Sequence, residues 1–359
     1  MLSGNKGEWS EVYVLMKLLA EGTLYAADSN LNFIPDLYFP VLKILRLEHG
    51  SNREYLREVN IQIIDGNTKQ LISTIKIADF IQYSRQLFEL LKTKKGLSFG
   101  VPELDLFLKE IEVKSLSASK HDKSDIKVVV HDLRTGQKPE LGFSIKSMLG
   151  KNATLFNSSK ATNFIYEIIN AGPLEINSIN AIIDEPKISN RINEIKKFNG
   201  QLIFKDIESN NFKLNLQLID GDLPKIISEI LLLKYSSEKI NSIKELTTRL
   251  NELNPLQYDL SRNHPFYEHK IKSFLTDTAL GMTPSSTWDG KYDATGGIII
   301  VKDNGDLVCY HIYNRNEFQN YLFNNTRLEQ ASTSRYDFGL LFQNEKRFYF
   351  KLNLQVRFK

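Results

Sequence analysis

Residues 124–147 read SDIKVVVHDLRTGQKPELGFSIKS, and this stretch decides the fold. Two runs rich in apolar residues, 125–131 and 141–147, flank a polar segment at 134–139 that contains glycine and proline. Turn-forming residues between two apolar runs are typical of a β-hairpin. The stretch therefore predicts two neighbouring strands joined by a turn.

Three side chains of this hairpin have useful chemistry. Side chains alternate along a strand, so Ser144 and Lys146 share one face, and the hairpin can bring Asp125 beside them. Phosphodiester hydrolysis uses these residue types, because a carboxylate can hold Mg²⁺ and a lysine can position the attacking water. As a bare pattern the spacing is weak, since many solvated hairpins without a catalytic role contain it.

The rest of the chain predicts a mixed α/β protein of the α+β type, with a central sheet flanked by helices. We place a soft boundary near residue 185, between a catalytic region at 1–185 and a recognition region at 186–359 that is β-rich after Gly281. Hydrophobic periodicity predicts helices and strand pairs. The predicted helices cover 7–20, 78–93, 103–111, 159–170, 222–235 and 237–253, and the predicted strand pairs cover 58–77 and 201–219.

One hexapeptide, FKLNLQ, occurs twice, at 212–217 and at 350–355. Its apolar and polar residues alternate, so it is predicted to form a half-buried strand at both positions. No wider similarity surrounds the two copies, and we interpret them as coincidence rather than as a repeat.

The composition is that of a soluble globular protein. The 359 residues are 42% hydrophobic and 25% charged, which excludes collagen-like, disordered and disulfide-scaffold proteins. The single cysteine, Cys309, can form neither an internal disulfide nor a cysteine metal site. No apolar run approaches the roughly 20 residues of a membrane-spanning helix, and no secretory signal is visible. We therefore expect a cytoplasmic protein with no membrane association.

The net charge is only +3, but its distribution is uneven. Residues 113–151 and 310–359 each carry eight basic and four acidic side chains. Two basic islands in a near-neutral chain fit contact with a polyanion such as nucleic acid. A solvated charged face fits equally well, so charge alone leaves both interpretations open.

Several stretches together resemble type II restriction endonucleases, and more closely the HpaII family within the PD-(D/E)XK nuclease superfamily. The resemblance includes both ends of the chain, which makes it far more specific than one motif. The matching stretches are NKGEWSE at 5–11, SDIKVVVHD at 124–132, GFSIKS at 142–147, TLFN at 154–157, ATNF at 161–164, GMTPSSTWDG at 281–290, YH at 310–311 and KLNLQVR at 351–357.

The resemblance implies a catalytic role for four residues. Asp125 would bind metal, with the Ile145 backbone as a further ligand, and Lys146 would be the catalytic lysine. Ser144 occupies the position where the superfamily usually has Glu or Asp, and a neutral hydroxyl is a poor metal ligand. The implied compensation is a helical glutamate, Glu11.

The choice of Glu11 leaves two alternatives open. Glu8 lies three residues away on the same helical face and could supply the carboxylate instead. Both acids could also simply stabilise the helix N-terminus, where negative charge is favoured.

Short polar side chains and arginines are the candidates for DNA contact, since they suit phosphates and base edges. Helix capping by Ser159 and Thr162 is an equally natural explanation, and a surface arginine without a role in recognition is more common than one that reads a base. We expect His311 to be a structural histidine. The candidate DNA-binding residues are Ser147, Asn157, Ser159, Thr162, Asn163, Arg315, Arg335 and Tyr336.

The family further implies Mg²⁺-dependent cleavage of double-stranded DNA at a short palindromic site. The family's type member cuts CCGG, although no residue here identifies the target. A palindrome implies a homodimer at least on DNA, and host protection implies a cognate DNA methyltransferase. Two alternatives are a structure-specific or repair nuclease of the same superfamily, and a non-enzymatic DNA-binding module whose site has decayed at Ser144.

Overall fold

The computed structural model describes residues 2–48, 50–117, 124–236 and 240–359. The chain divides into two compact units. Within the described ranges, no helix has the length and apolar character needed to cross a bilayer. Unit 1 consists of Met1–Ala153, Ala279–Gly281 and Tyr292–Tyr321, and unit 2 consists of Thr154–Thr278, Met282–Lys291 and Leu322–Lys359.

Both units contain helices and strands. The helices are α1 (Lys6–Glu21), α2 (Ile77–Thr93), α3 (Asp105–Glu110), α4 (Ile176–Asn180), α5 (Lys187–Lys197), α6 (Asn210–Ile219), α7 (Leu223–Ser236), α8 (Ile243–Leu253), α9 (Phe266–Leu280) and α10 (Arg315–Asn325). The strands are β1 (Ser3–Gly4), β2 (Thr23–Ala27), β3 (Phe33–Glu48), β4 (Ser51–Arg57), β5 (Asn60–Asp65), β6 (Leu71–Lys76), β7 (Phe99–Gly100), β8 (Ile126–Val130), β9 (Glu140–Ser147), β10 (Thr154–Phe156), β11 (Asn163–Ile169), β12 (Gln201–Ile207), β13 (Gly297–Val301), β14 (Leu307–His311), β15 (Thr326–Leu328), β16 (Leu341–Asn344), β17 (Arg347–Asn353) and β18 (Val356–Phe358).

The main sheet of unit 1 has the order β2-β14-β13-β9-β8-β3-β4-β5-β6 in the part of the chain that the structure describes. It is mixed, because β9 and β13 are parallel, as are β14 and β2, whereas the other neighbours are antiparallel. The long strand β3 also pairs with β2, so six strands form a closed sheet. The sequence predicts the mixed sheet but not its closure, which depends on pairing between distant segments.

Helix α1 forms the centre of the unit 1 core. Trp9, Val12, Leu15 and Leu19 are all completely buried. Burying one such side chain contributes about 1.5–3 kcal/mol, so α1 is a large part of what stabilises this unit. The predicted helix at 7–20 is confirmed.

The C-terminus of α1 is closed by two groups. Gly22 adopts a left-handed conformation with φ 71°, and its amide donates to the Leu18 carbonyl at 2.8 Å. The Arg57 guanidinium donates to the carbonyls of Leu19 at 2.8 Å and Ala20 at 3.3 Å. A cation at this end also interacts favourably with the helix dipole.

Unit 2 contains two antiparallel sheets, β12-β11-β17-β16 and β10-β18-β15. Aromatic side chains fill the space between sheet and helices: Phe164 of β11 packs edge-on against Phe212 of α6, which stacks on Phe156 of β10. All three side chains are buried.

Most predicted elements of the first 150 residues are confirmed. The hairpin at 58–77 is β5–β6, the helix at 78–93 is α2, and the decisive hairpin is β8–β9. The short helix predicted at 103–111 is a 3-10 turn, Pro102–Leu104, followed by α3.

The helix predicted to end near Tyr235 is α7. The helix predicted from 237 is α8, which begins at Ile243, and residues 237–239 lie outside the described ranges.

Two predicted elements are wrong. Residues 159–170 form a 3-10 turn, Lys160–Thr162, and then strand β11 rather than a helix. The sequence NFIYEII of β11 is rich in aromatic and β-branched residues, which pack well in sheets. Residues 201–219 form β12 and helix α6 rather than a pair of strands.

The repeated hexapeptide explains the second error. FKLNLQ is helical at 212–217 within α6, yet its first four residues at 350–353 end strand β17. Ser209 accepts a hydrogen bond from the Phe212 amide at 3.2 Å and caps α6. The helix then buries Phe212, Asn215 and Leu216, which have helical spacing. The same residues thus form a helix or a strand according to which conformation packs their apolar side chains against neighbouring elements.

We predict that Gly22→Ala lowers the free energy of unfolding by about 2–3 kcal/mol, since an alanine pays about 1–2 kcal/mol in a left-handed conformation. A Cβ atom at residue 22 would also lie 2.3 Å from the Arg57 Cζ atom, so the guanidinium would have to leave the helix end.

The matched control is Gly136→Ala. Gly136 has the same φ of 71° but has nothing within 4 Å of an added Cβ atom. Denaturant unfolding should therefore show a smaller loss of about 1 kcal/mol in the control. Equal losses in both variants would mean that the Arg57 cap does not contribute.

Candidate active site

The β8–β9 hairpin brings Asp125, Ser144 and Lys146 together. Asp125 precedes β8 directly, and the pairing of Ile126 with Phe143 places it opposite Ser144. The Asp125 Oδ2 atom accepts a hydrogen bond from Ser144 Oγ at 3.2 Å. Lys146 Nζ donates to the same Ser144 Oγ at 2.9 Å. The three side chains form a hydrogen-bonded chain from the lysine through the hydroxyl to the carboxylate.

The backbone fixes the Asp125 carboxylate a second time. The β8–β9 pairing ends at Ile126 and Phe143. The next amide of β9 that points towards β8 is that of Ile145, and it has no partner in β8. Asp125 Oδ2 takes that amide, accepting from Ile145 N at 2.6 Å. The amide and carbonyl of one strand residue point to the same side. The Ile145 carbonyl therefore faces the same edge as the carboxylate.

The other side of β9 is anchored by parallel pairing with β13. Ser144 pairs with Ile298 and Lys146 with Ile300, and both isoleucines are buried. This pairing holds the backbone of β9 from Phe143 to Ser147 and so sets the face from which the Ser144 and Lys146 side chains project.

Gly142, on the same face as Ser144, is a residue for which sequence reasoning assigned no role. A Cβ atom there would lie 2.9 Å from Ser124 Cβ and 3.0 Å from the Asp293 carbonyl oxygen. The Gly142 carbonyl also accepts from the Gly296 amide at 2.7 Å. Glycine therefore lets two neighbouring segments close over β9, one of which leads directly into Asp125.

Asp125 opens into a cleft of about 670 Å³ in unit 1. Its Oδ1 atom makes no hydrogen bond with any residue that the structure describes, while Oδ2 is doubly bound. Glu54 also lines the cleft; burial alone would raise its pKa, but hydrogen bonds from Lys69 and Lys43 hold that pKa below its usual value. Two lysines thus neutralise the Glu54 carboxylate, whereas no lysine among the described residues forms an ion pair with Asp125.

The two candidate glutamates of helix α1 differ in their surroundings. Glu8 is part of a capping box: its Oε2 accepts from the Asn5 amide at 2.7 Å, and Asn5 Oδ1 accepts from the Glu8 amide at 3.1 Å. Glu11 is half-buried and follows Ser10, whose hydroxyl donates to Ser147 Oγ of β9 at 2.8 Å. The Ser10–Ser147 bond, which sequence reasoning missed, holds α1 against the strand that carries Lys146.

The candidate DNA-binding residues fall into two groups. Asn157, Arg315 and Arg335 are exposed, and Ser147, Ser159 and Tyr336 are half-buried. Thr162 and Asn163 are completely buried. Thr162 Oγ1 accepts from the Ser159 amide at 3.0 Å, and the Asn163 amide donates to Glu208 and to the Tyr336 carbonyl. Both side chains are therefore engaged in hydrogen bonds inside unit 2.

His311 is a buried residue of the unit 1 core, 1% exposed. Its Nδ1 accepts from the Tyr313 amide at 3.0 Å, and its ring stacks on Phe39 at 5.0 Å between centroids. Burial lowers the pKa of His311 to about 4, although the nearby Asp132 carboxylate opposes the shift. The ring is neutral at pH 7.

Comparison with known proteins agrees with the family resemblance that the sequence shows. The sequence model of a family described as HpaII restriction endonuclease matches residues 5–358. The chain belongs to this family. It is 48% identical to the type II restriction enzyme HpaII of Haemophilus parainfluenzae over 99% of this chain and 98% of that protein. No solved structure matches the chain significantly.

Family membership makes the chain a type II site-specific deoxyribonuclease. Restriction endonucleases of this type generally require divalent metal ions and act on DNA. The family match and the 48% identity both favour a restriction enzyme over a repair nuclease and over a DNA-binding protein whose active site has decayed.

We predict that the stability of unit 1 depends on pH through His311. The pKa of His311 is about 4 in the folded protein and about 6.5 in an unfolded chain, so the unfolded state binds more protons between these values. The contribution of His311 to the free energy of unfolding is fully present above pH 6.5 and is lost as the pH falls towards 4. The loss should reach up to about 3 kcal/mol.

Urea unfolding at several pH values between 4 and 7.5 checks this prediction. Trp9 reports on unit 1 in a Trp288→Phe background, because the chain has only two tryptophans. His311→Gln should flatten the pH dependence, and the control His264→Gln, at an exposed histidine, should not. An unchanged slope in His311→Gln would contradict the assignment.

Proposed function

We propose that the chain hydrolyses double-stranded DNA at a short palindromic site with Mg²⁺ as cofactor, on a PD-(D/E)XK nuclease core. CCGG is the candidate target. The observation that carries the proposal is the hydrogen-bonded chain from Lys146 through Ser144 to Asp125, a residue that also lines the cleft. Asp125 and Lys146 are the residue types that the superfamily resemblance implies, and Ser144 departs from its usual carboxylate.

The oxygen atoms at this site suit Mg²⁺. Asp125 Oδ1, the Ile145 carbonyl and the Glu11 carboxylate would hold the ion. The described residues include no group of three or more His, Cys, Asp and Glu side chains with the geometry of a metal site. The proposed set of two carboxylates and one carbonyl fits Mg²⁺, which usually keeps several waters and takes one or two carboxylates. When bound, the ion screens the scissile phosphate and lowers the pKa of a coordinated water.

Lys146 would orient the attacking water and stabilise the charge that develops on the phosphate. One of its three protons is donated to Ser144 Oγ, and the described residues supply no carboxylate partner for the ammonium group. The Ser144 hydroxyl accepts from Lys146 and donates to Asp125, so one small residue positions both. A neutral hydroxyl leaves the lysine charge unneutralised, unlike the carboxylate usual at this position.

DNA recognition is assigned to exposed groups in both regions of the chain. We infer that residues 1–185 carry catalysis and 186–359 carry recognition and dimer contacts. Arg315 and Arg335 have guanidinium groups that make no hydrogen bond or ion pair with any described residue, which leaves them available for guanine edges or phosphates. The remaining candidates for contact are Ser147, Asn157, Ser159 and Tyr336.

A palindromic target requires two copies related by a two-fold axis, so we propose a homodimer on DNA. A nuclease of this kind would cut the DNA of its own host, so we also propose a cognate DNA methyltransferase as its partner in the cell.

The first experiment incubates the protein with unmethylated phage DNA, with Mg²⁺ or with EDTA, and sequences the fragment ends. Discrete fragments with a common end sequence are expected only with Mg²⁺. A smear would contradict a short specific site, and cleavage in EDTA would contradict the metal. DNA methylated at CCGG tests the candidate target, because it should resist cleavage if CCGG is correct.

We predict that Asp125→Ala and Lys146→Ala each reduce single-turnover cleavage by more than about 1,000-fold, since each removes a group that acts on the reacting phosphate. Filter binding without divalent ions should show DNA affinity within about threefold of wild type for Lys146→Ala.

The matched control is Lys127→Ala, an exposed lysine two residues beyond Asp125 on the same face of β8. Its cleavage rate should stay within about tenfold of wild type. Wild-type rates in Asp125→Ala or Lys146→Ala would refute the active-site assignment.

We predict that Glu11→Gln is more damaging than Ser144→Ala, because it removes a charged metal ligand rather than a hydrogen bond. Glu11→Gln should also raise the Mg²⁺ concentration needed for half-maximal cleavage. Glu8→Gln, which weakens only the capping box, should lower stability by about 1 kcal/mol and leave the Mg²⁺ dependence unchanged. A shifted Mg²⁺ dependence in Glu8→Gln alone would exchange the roles of the two glutamates.

A further inference from the structure

A buried polar network lies beneath the loop at 332–339 in unit 2. Asn163 of β11 and Asn353 of β17 are direct cross-strand partners, 0% and 1% exposed. Asn353 Nδ2 donates to Asn163 Oδ1 at 2.7 Å, which fixes the orientation of the Asn163 amide. Asn163 Nδ2 then donates to the Tyr336 carbonyl at 2.6 Å and to Glu208 Oε2 at 2.8 Å. The network ends on the backbone of the loop.

The backbone of this loop is unusual at the point where Asn163 holds it. Tyr336 and Asp337 have φ values of 67° and 50°, in the left-handed region that residues with a side chain rarely adopt. Such conformations persist only where surrounding contacts impose them. Phe338 is completely buried, and the Gly339 amide donates to the Lys351 carbonyl at 2.8 Å. The loop is thus held at Tyr336, the first of the two strained residues, and again directly after them at Phe338 and Gly339.

Arg335 immediately precedes the residue that Asn163 holds. Its side chain is exposed, and its guanidinium makes no hydrogen bond or ion pair with any residue the structure describes. An arginine presents a planar fork of donors that can pair with two acceptors of guanine. Fixing the backbone beneath such a side chain lowers the entropy cost of binding.

We propose that Asn163 is a positioning residue for DNA recognition. Through the Tyr336 carbonyl it holds the 332–339 loop so that Arg335 reaches a base edge of the target site. Asn163 touches no DNA itself, and it controls discrimination between target and altered sites rather than the rate of hydrolysis. The inference rests on the proposed recognition role of Arg335.

The test is a double-mutant cycle on the full-length protein with Asn163→Ala, Arg335→Ala and the double variant. Dissociation constants and single-turnover rates at saturating enzyme are measured on the target duplex and on a duplex with one base pair changed. Asn163→Ala should reduce discrimination by about 10- to 100-fold, the range of one lost base contact. Its saturated rate on the target should stay within about threefold of wild type.

The cycle also tests whether Asn163 acts through Arg335. The double variant should discriminate no worse than Arg335→Ala, because residues that act through one contact are not additive. Independent, additive losses would overturn the proposal. If Asn163→Ala does not fold, Asn163→Ser, which keeps one donor, replaces it in the same cycle.

The matched control is Asn215→Ala. Asn215 is also a buried asparagine of unit 2, 3% exposed, and its amide donates to the carbonyls of Thr283 at 2.9 Å and Ser286 at 2.8 Å. It should lose stability as Asn163→Ala does but keep full discrimination. An equal loss of discrimination in Asn215→Ala would mean general loosening and would overturn the proposal.

Two failures can be told apart in this design. If Arg335→Ala loses discrimination and Asn163→Ala keeps it, the positioning role is wrong and the recognition role of Arg335 stands. If Arg335→Ala keeps discrimination while the wild type cuts one sequence only, the recognition role of Arg335 is wrong, and the positioning role is overturned with it.

Discussion

The hydrogen bond from the Ile145 amide to the Asp125 carboxylate joins the candidate active site to the sheet that carries it. At 2.6 Å it replaces the next rung of the β8–β9 ladder, so the acid takes the place of a backbone carbonyl. A bond to a charged acceptor is about twice as strong as one between neutral groups. Because Oδ2 is engaged here and with Ser144, the orientation of Oδ1 follows from the register of the strands.

That register in turn depends on contacts far away in the sequence. Strand β9 is paired with β8 on one side and with β13 on the other, although about 150 residues separate β9 from β13. Gly142 allows the segment before β13 to approach β9 closely, and α1 is tied to β9 through Ser10 and Ser147. The positions of Asp125, Ser144 and Lys146 therefore depend on the closed sheet and on helix α1.

The sequence alone predicts those parts of the fold that local patterns specify. The β8–β9 hairpin and α1 follow from turn residues and from periodicity, and so do Asp125, Ser144 and Lys146 as neighbours. Closure of the sheet does not follow, because the pairing of β2 with β3 and β14 leaves no local signal. The two copies of FKLNLQ show the limit directly, since the helical copy leaves Leu214 exposed whereas the strand copy buries the equivalent Leu352.

Asn163 shows that the type of a residue can suggest several roles near a functional site without deciding between them. An asparagine just beyond the catalytic strand suits adenine or phosphate, and Thr162 beside it suits a phosphate equally well. The structure buries both and directs the Asn163 amide to a loop about 170 residues later. An amide with two donors and an acceptor is as useful for holding a strained backbone as for reading a base. Only burial and hydrogen-bond partners distinguish these uses, and here the Asn163 side chain is buried and bonded to the loop, whereas Arg335 is exposed.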